Sequence, residues 1–151
     1  MPEITLTICT RQDEWESVKH KYPKLTENIK VVHLTGDKMK EHMLQADIVS
    51  IFVEPQKYWE FAAPVKLYEY IGSLKPILAS KGTLAAKFIE QNKAGWTVSY
   101  DDEELTSFLF GLINNNKELQ SVSEHIATIA NEHTWLARAQ QVVKDLSKGA
   151  I

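Results

Sequence analysis

Apolar positions along this chain switch repeatedly between two spacings, the tight β-branched runs of strands and the three-and-four steps of helices. "EITLTICT" (Glu3–Thr10) is short and β-branched, which predicts a strand. "RQDEWESVKHKY" (Arg11–Tyr22) is polar with Trp15 and Val18 three apart, which predicts a helix stopped near Pro23. "IKVVHLTG" (Ile29–Gly36) predicts a second strand ended by Gly36, after which Asp37 is expected to cap the helix "KMKEHMLQA" (Lys38–Ala46). "DIVSIFVE" (Asp47–Glu54) is nearly continuous in apolar residues, as a strand covered on both faces should be. A loop, "PQKYWEFAAP", then leads to the helix "VKLYEYIGSL" (Val65–Leu74), with Pro64 expected at its first position.

The alternation continues to the end of the chain. "KPILAS" (Lys75–Ser80) predicts a fourth strand, broken by Gly82 before the helix "TLAAKFIEQNKA" (Thr83–Ala94), which Gly95 is expected to close. "GWTVSY" (Gly95–Tyr100) predicts a fifth strand. "DDEELTSFLFGLINN" (Asp101–Asn115) opens with acids, where a helix dipole favours them, and helical spacing runs from about Lys117 to Lys148.

Strands and helices joined by a few residues predict an α/β fold: one doubly wound parallel sheet, residues 1–151 as a single domain, with a helical C-terminal tail. In such folds ligands sit at the carboxyl ends of strands, beside helix starts. That rule selects the loops Thr10–Gln12, Thr35–Asp37 and Glu54–Lys66.

Composition narrows the partners. A chain of 151 residues can bury a core without disulfides or metals. With 44% hydrophobic and 25% charged residues it is ordinary globular protein, and the net charge of −3 gives no case for nucleic acid or an anionic membrane surface. The lone Cys9 fits a reducing compartment. No run reaches the ~18 apolar residues of a membrane span, so no direct insertion is expected. The N-terminus lacks a basic start followed by an apolar run, and its opening on a strand leads us to expect neither a signal peptide nor an upstream domain within this chain.

Most familiar site chemistry is missing. "CTRQDE" has no glycine, against a dinucleotide site, and no GxxxxGK[ST] phosphate loop occurs. Arg11 could face a phosphate from a strand end, or be an exposed arginine at a helix start. His20, His33, His42, His125 and His133 form no HExxH pattern, so no metal site is expected, and His33 reads as a partly buried core residue. Cys9 has no motif marking it as a nucleophile. Asp101, Asp102, Glu103 and Glu104 read as capping and solvation of a helix start.

One stretch stands apart: "FAAPVKLYEYIGSLKPILAS" (Phe61–Ser80). A helix starting at Pro64 would offer the N–H groups of Ala63, Val65 and Lys66 to a diphosphate, with the charge of Lys66 beside them. Glu69 lies about one turn on, where two carboxylate oxygens suit a sugar diol. Leu67, Tyr70 and Ile71 would pack on the sheet. An amphipathic helix with an ordinary Lys and Glu near its start would read the same way.

These residues resemble the donor-binding half of GT-B glycosyltransferases of the large group 1 family. The resemblance is carried by Ala46–Asp47, the loop Glu54–Ala63, Pro64, Lys66–Leu67, Glu69–Tyr70, Gly72 and Lys75–Pro76, and by the terminal helix with Trp135 and Ala139. It covers roughly residues 29–146. It implies half of a GT-B fold, Rossmann-like, with Glu69 on the donor ribose and Pro64, Val65 and Lys66 facing the diphosphate. The family's first acid, eight residues before the second, falls on Phe61, and Glu60 beside it is the candidate for sugar contact. Arg11 is the candidate basic side chain. The resemblance further implies a UDP- or GDP-sugar donor, transfer without a metal or other cofactor, and an N-terminal acceptor-binding domain that this chain lacks. No catalytic group is then expected here, and the chain alone should be inactive. Location would be cytoplasmic, peripheral to the inner membrane through that missing domain. The other reading is a non-catalytic Rossmann-like interaction module, which the aromatics of "KYWEF" would suit. A receiver-type domain would want paired acids after the first strand, and "LTICTRQ" has none.

Overall fold

The computed structural model of the chain describes residues 4–148. The chain divides into two compact units, Met1–Gln45 and Ala46–Ile151. It is an α/β protein with a parallel sheet in each unit and a helical C-terminal region.

In the first unit, β1 (Leu6–Cys9) pairs in parallel with β2 (Ile29–Val32), with Leu6 opposite Ile29 and Cys9 opposite Val32. Glu3, which the pattern adds to the first strand, lies outside the described residues. Between the strands run α1 (Gln12–Val18) and a 3₁₀ turn, Lys19–Lys21, and α2 (Gly36–Leu44) follows β2. Asp37 does not cap α2: it lies inside the first turn, and Thr35 stands at the cap position. Gly36, the first residue of α2, takes a left-handed φ of +57°, which a glycine accepts without steric cost. None of the described residues of this unit is buried, and Leu6 and Ile8 are exposed. His33 is exposed as well, not a partly buried core residue; its Nδ1 donates to the Thr10 carbonyl at 2.9 Å.

The second unit holds the core. Its sheet runs β3 (Val49–Ile51), β4 (Ile77–Ser80), β5 (Gly95–Val98), all parallel, with β4 in the middle. Every β4 residue is buried, which accounts for the unbroken apolar run "PILA". The crossovers carry α3 (Lys66–Gly72) and α4 (Leu84–Asn92). Two right-handed crossovers stepping in one direction place their helices on one face, and the rings of Tyr68 and Phe88 indeed meet edge to face, 5.7 Å apart. Leu67, Ile71, Ala85, Ala86 and Ile89 form the buried side of these helices.

After β5 come α5 (Asp102–Ile113), α6 (Asn116–Ile129), a 3₁₀ turn (Ala130–His133) and α7 (Trp135–Lys148). The helical tail is made of two helices: α6 ends at Ile129, and Thr134 caps α7, its hydroxyl accepting from Ala137 N–H at 3.1 Å. Asp101 caps α5 by accepting from Glu104 N–H at 2.9 Å, as the acid run implies.

Two helix boundaries depart from the pattern. Gly95 does not close α4. Lys93 takes the left-handed turn at φ +49°, and Gly95 opens β5 instead. A Cβ on Gly95 would stand 1.9 Å from the Ile77 carbonyl oxygen, so a strand–strand approach, not a helix end, demands this glycine. Pro64 likewise precedes the helix rather than starting it; Val65 already has helical angles, and Leu67 N–H donates to the Pro64 carbonyl at 3.0 Å.

Candidate functional site

The candidate site forms where the chain leaves β3. Alternate residues of β3 are buried, Val49 and Ile51, with Ser50 exposed between them. Past its end, Val53 is held by the side chain of Ser80, the last residue of β4. Val53 N–H donates to Ser80 Oγ at 2.9 Å, and the Ser80 hydroxyl donates to the Val53 carbonyl. A side chain thus continues the ladder one step beyond the strand. The Pro55 ring follows, 3.6 Å from the place a Cβ would occupy on Gly82. The path after β3 is therefore set against the Ser80–Gly82 turn.

The segment expected to be loop contains a 3₁₀ turn, Lys57–Glu60, with packed aromatics. Tyr58 meets Trp59 at 5.0 Å and Phe61 at 5.7 Å, both edge to face. Tyr58 and Phe61 are nevertheless exposed. Glu60 is exposed on this turn, and its side chain makes no hydrogen bond or ion pair among the described residues.

Chain direction turns at Pro64 into α3. The N–H groups of Ala63, Val65 and Lys66 make no hydrogen bond among the described residues, whereas Leu67, Tyr68 and Glu69 donate to Pro64 and Val65 carbonyls. Lys66 and Glu69 are three apart, hence neighbours on one helix face. Both are exposed, and neither side chain has a partner among the described residues. The opposite face is anchored: Leu67 and Ile71 are 1% exposed. Tyr70 is half-buried between the two faces.

The end of α3 ties the motif together. Leu74 adopts φ +57°, which lets Lys75 N–H reach the Tyr70 carbonyl at 3.1 Å. Lys75 Nζ then donates to the Ala46 carbonyl at 2.7 Å, and Val49 N–H to the Pro76 carbonyl at 2.9 Å. Two pieces of sequence almost thirty residues apart, Ala46–Asp47 and Lys75–Pro76, are joined by these bonds.

Arg11 belongs to the other unit and is engaged there. Its guanidinium grips Asp13 with two bonds, Nε to Oδ1 at 3.0 Å and Nη2 to Oδ2 at 2.5 Å, both side chains about two-thirds exposed. That hydrogen bond holds the Asp13 carboxyl below its ordinary range. Pro64, Val65, Lys66 and Glu69 thus share one helix start, with Glu60 on the turn before it, while Arg11 belongs to the first unit.

Sequence reasoning passed over two residues beyond the apolar run of β4. Ser80 and Thr83 are buried polar side chains, and Thr83 Oγ1 both donates to the Ser80 carbonyl at 2.9 Å and accepts from Ala86 N–H at 3.0 Å. Their signal was a serine and a threonine bracketing Gly82 after an apolar run. Glu104, read from the sequence as one of the capping and solvated acids of a helix start, has more specific partners. It accepts from Ser99 and from Lys81 Nζ at 2.9 Å, and the hydrogen bond from Ser99, then the lysine, pull its carboxyl down to about 2.

A groove of about 580 Å³ lies elsewhere, between α5 and α6, lined by Phe108, Leu112, Asn115 and Glu118. Among the described residues no three His, Cys, Asp or Glu side chains are gathered to hold a metal, and no helix is long and apolar enough to cross a membrane. No model of a known protein family matches the chain, and no curated protein matches it.

Proposed function

We propose that this chain is the donor-binding half of a GT-B glycosyltransferase, a doubly wound Rossmann-like domain that holds a nucleotide-sugar. The observation that carries the reading is Glu69: an exposed carboxylate without a partner, on a helix that joins two parallel strands and is fastened by buried Leu67 and Ile71. A carboxylate so placed has both oxygens available to the vicinal hydroxyls of a ribose. One turn earlier, the Lys66 ammonium and the free N–H groups of Ala63, Val65 and Lys66 offer positive charge and donors to a diphosphate.

On this reading the leaving diphosphate is stabilised by helix-end donors and a lysine, so sugar transfer proceeds without a metal ion. An acceptor domain on a separate segment supplies the second substrate, and the chain alone binds donor but transfers nothing. The protein then works in the cytoplasm, at the inner membrane only through that partner domain, and has no role in nucleic-acid binding.

Calorimetric titration with UDP, GDP and their sugar conjugates tests the assignment. One nucleotide should bind saturably, and Glu69→Ala should weaken it more than tenfold. Because Glu69 is exposed and unpaired, folding stability should move by less than about 0.5 kcal/mol. A folded chain that binds neither nucleotide sinks the proposal.

A second reading rests on the aromatic turn. Phe61, 68% exposed, stands where a sugar-contacting acid is expected, and with Tyr58 presents aromatic surface of the kind enriched at protein interfaces. A chain that binds no nucleotide but loses a protein partner on Tyr58→Ser with Phe61→Ser would establish the interaction module instead.

A further inference from the structure

The first turn of α7 is tied to the rest of its unit through Arg138, which meets His133 and lies over the ring of Tyr68. His133 Nε2 lies 3.2 Å from Asn92 Oδ1 at the end of α4, and its Nδ1 lies 3.1 Å from Arg138 Nη2 on α7. The Asn92 amide donates to the Phe88 carbonyl at 2.9 Å, which leaves its oxygen to face the ring as an acceptor. A guanidinium nitrogen can only donate. The two contacts therefore define a neutral imidazole, with hydrogen on Nε2 and the lone pair of Nδ1 turned to Arg138.

Other elements converge on the same ring. Phe88 of α4 meets His133 edge to face at 4.9 Å, and Arg138 also lies 5.3 Å over the ring of Tyr68 on α3. From α6, His125 Nε2 donates to the Asn92 carbonyl at 3.0 Å. The charged groups that act on His133 are Arg138, which disfavours a second positive charge, and Glu132 of its own turn, which favours one. Tyr68 and His125 are the titratable neighbours beyond them.

Nothing comparable holds the remainder of α7. Among the described residues, its polar and ring contacts outside itself are the Thr134 cap and those of Arg138. Trp135, Leu136, Val142, Val143 and Leu146 are all exposed, and no residue of the helix is buried.

We propose that His133 is a proton-operated latch on α7: the neutral ring holds Arg138 and with it the first turn, and a proton taken up on Nδ1 removes the acceptor, opposes two cations and frees the helix. Burial of the ring, and next the Arg138 charge, push the pKa of His133 below its ordinary 6.5. The folded chain therefore favours the neutral ring. The hold is complete above 6.5 and weakens as pH falls from there toward the lower folded-state midpoint.

An NMR titration of the full chain from about pH 8 to about pH 5 spans this window. The His133 Cε1 proton and the backbone amides of residues 136–148 should move with one shared midpoint below 6.5, and the α7 amides should lose exchange protection severalfold on the acid side. In His133→Gln, which hydrogen-bonds but does not titrate, the α7 amides should stop responding over the same range. Arg138→Gln should loosen α7 already at the alkaline end and shift the His133 midpoint upward. Amides of α7 that stay still while His133 titrates would overturn the latch. So would an unchanged α7 response in His133→Gln, or a His133 that remains neutral throughout. Should His133→Gln fail to fold, the wild-type titration and Arg138→Gln decide the matter.

Discussion

The Ser80 hydroxyl faces both backbone polar atoms of Val53, accepting from its N–H at 2.9 Å and donating to its carbonyl. No other described side chain carries this pairing beyond β3, and Ser80 is fully buried. Ser80→Ala leaves the N–H and the carbonyl of the half-buried Val53 without their side-chain partner. The expected loss is about 1–3 kcal/mol, read from urea unfolding. Because Val53 starts the path to α3, the proposed nucleotide-sugar binding should weaken in the same variant even when measured well below its unfolding transition.

Gly95 should be irreplaceable for a reason of distance. Any Cβ there meets the Ile77 carbonyl oxygen at 1.9 Å and its nitrogen at 2.6 Å, both backbone atoms of the central strand. Its φ of +151° adds strain for an L-residue. Gly95→Ala should cost more than about 2 kcal/mol, or prevent folding. Gly72, where a Cβ would meet nothing within 4 Å, serves as the control: there Ala should be neutral or stabilising.

Leu74 works the other way. It holds a left-handed φ of +57° just past α3, and its side chain is 45% exposed. Leu74→Gly removes the steric cost of that conformation and gives up little burial. Stability should rise by about 0.5–1 kcal/mol, visible as a higher midpoint in thermal unfolding.

Acid should reach the strand-end cluster late. Glu104 titrates at about 2 rather than 4.5 in the folded chain, because Ser99 and Lys81 favour its charged form. A lowered carboxylate pKa stabilises the fold fully above the unfolded value, and that stabilisation is lost as pH falls from about 4.5 through about 2. Carboxyl-carbon NMR should find the Glu104 midpoint near 2, and Lys81→Met should move it upward. A midpoint at 4.5 in wild type would remove the Lys81–Glu104 bridge from the account.

Several features were legible before any coordinates because they are local. Period and β-branching located five strands and the helices between them, and the acids at Asp101–Glu104 marked a helix start that Asp101 indeed caps. Caps at glycines misled for a physical reason. Gly95 looked like a helix stop, yet a glycine is chosen wherever a Cβ is unwelcome, and only the packing of β4 on β5 reveals that its neighbour is Ile77. The expectation of one sheet rested on alternation alone, which does not say which strands share hydrogen bonds; the structure pairs β1 with β2, and β4 with both β3 and β5.

The candidate site divides along the same line. Sequence spacing alone determined that Lys66 and Glu69 share a helix face opposite Leu67 and Ile71, because a helix turns by a constant angle per residue. Tertiary structure decided that Glu69 and Lys66 lack partners, and that Ser80 reaches across 27 residues of chain to Val53. Those outcomes depend on which distant atoms arrive within about 3 Å of one another. Such encounters are set by the folding of the whole unit, and no local pattern of residues encodes them.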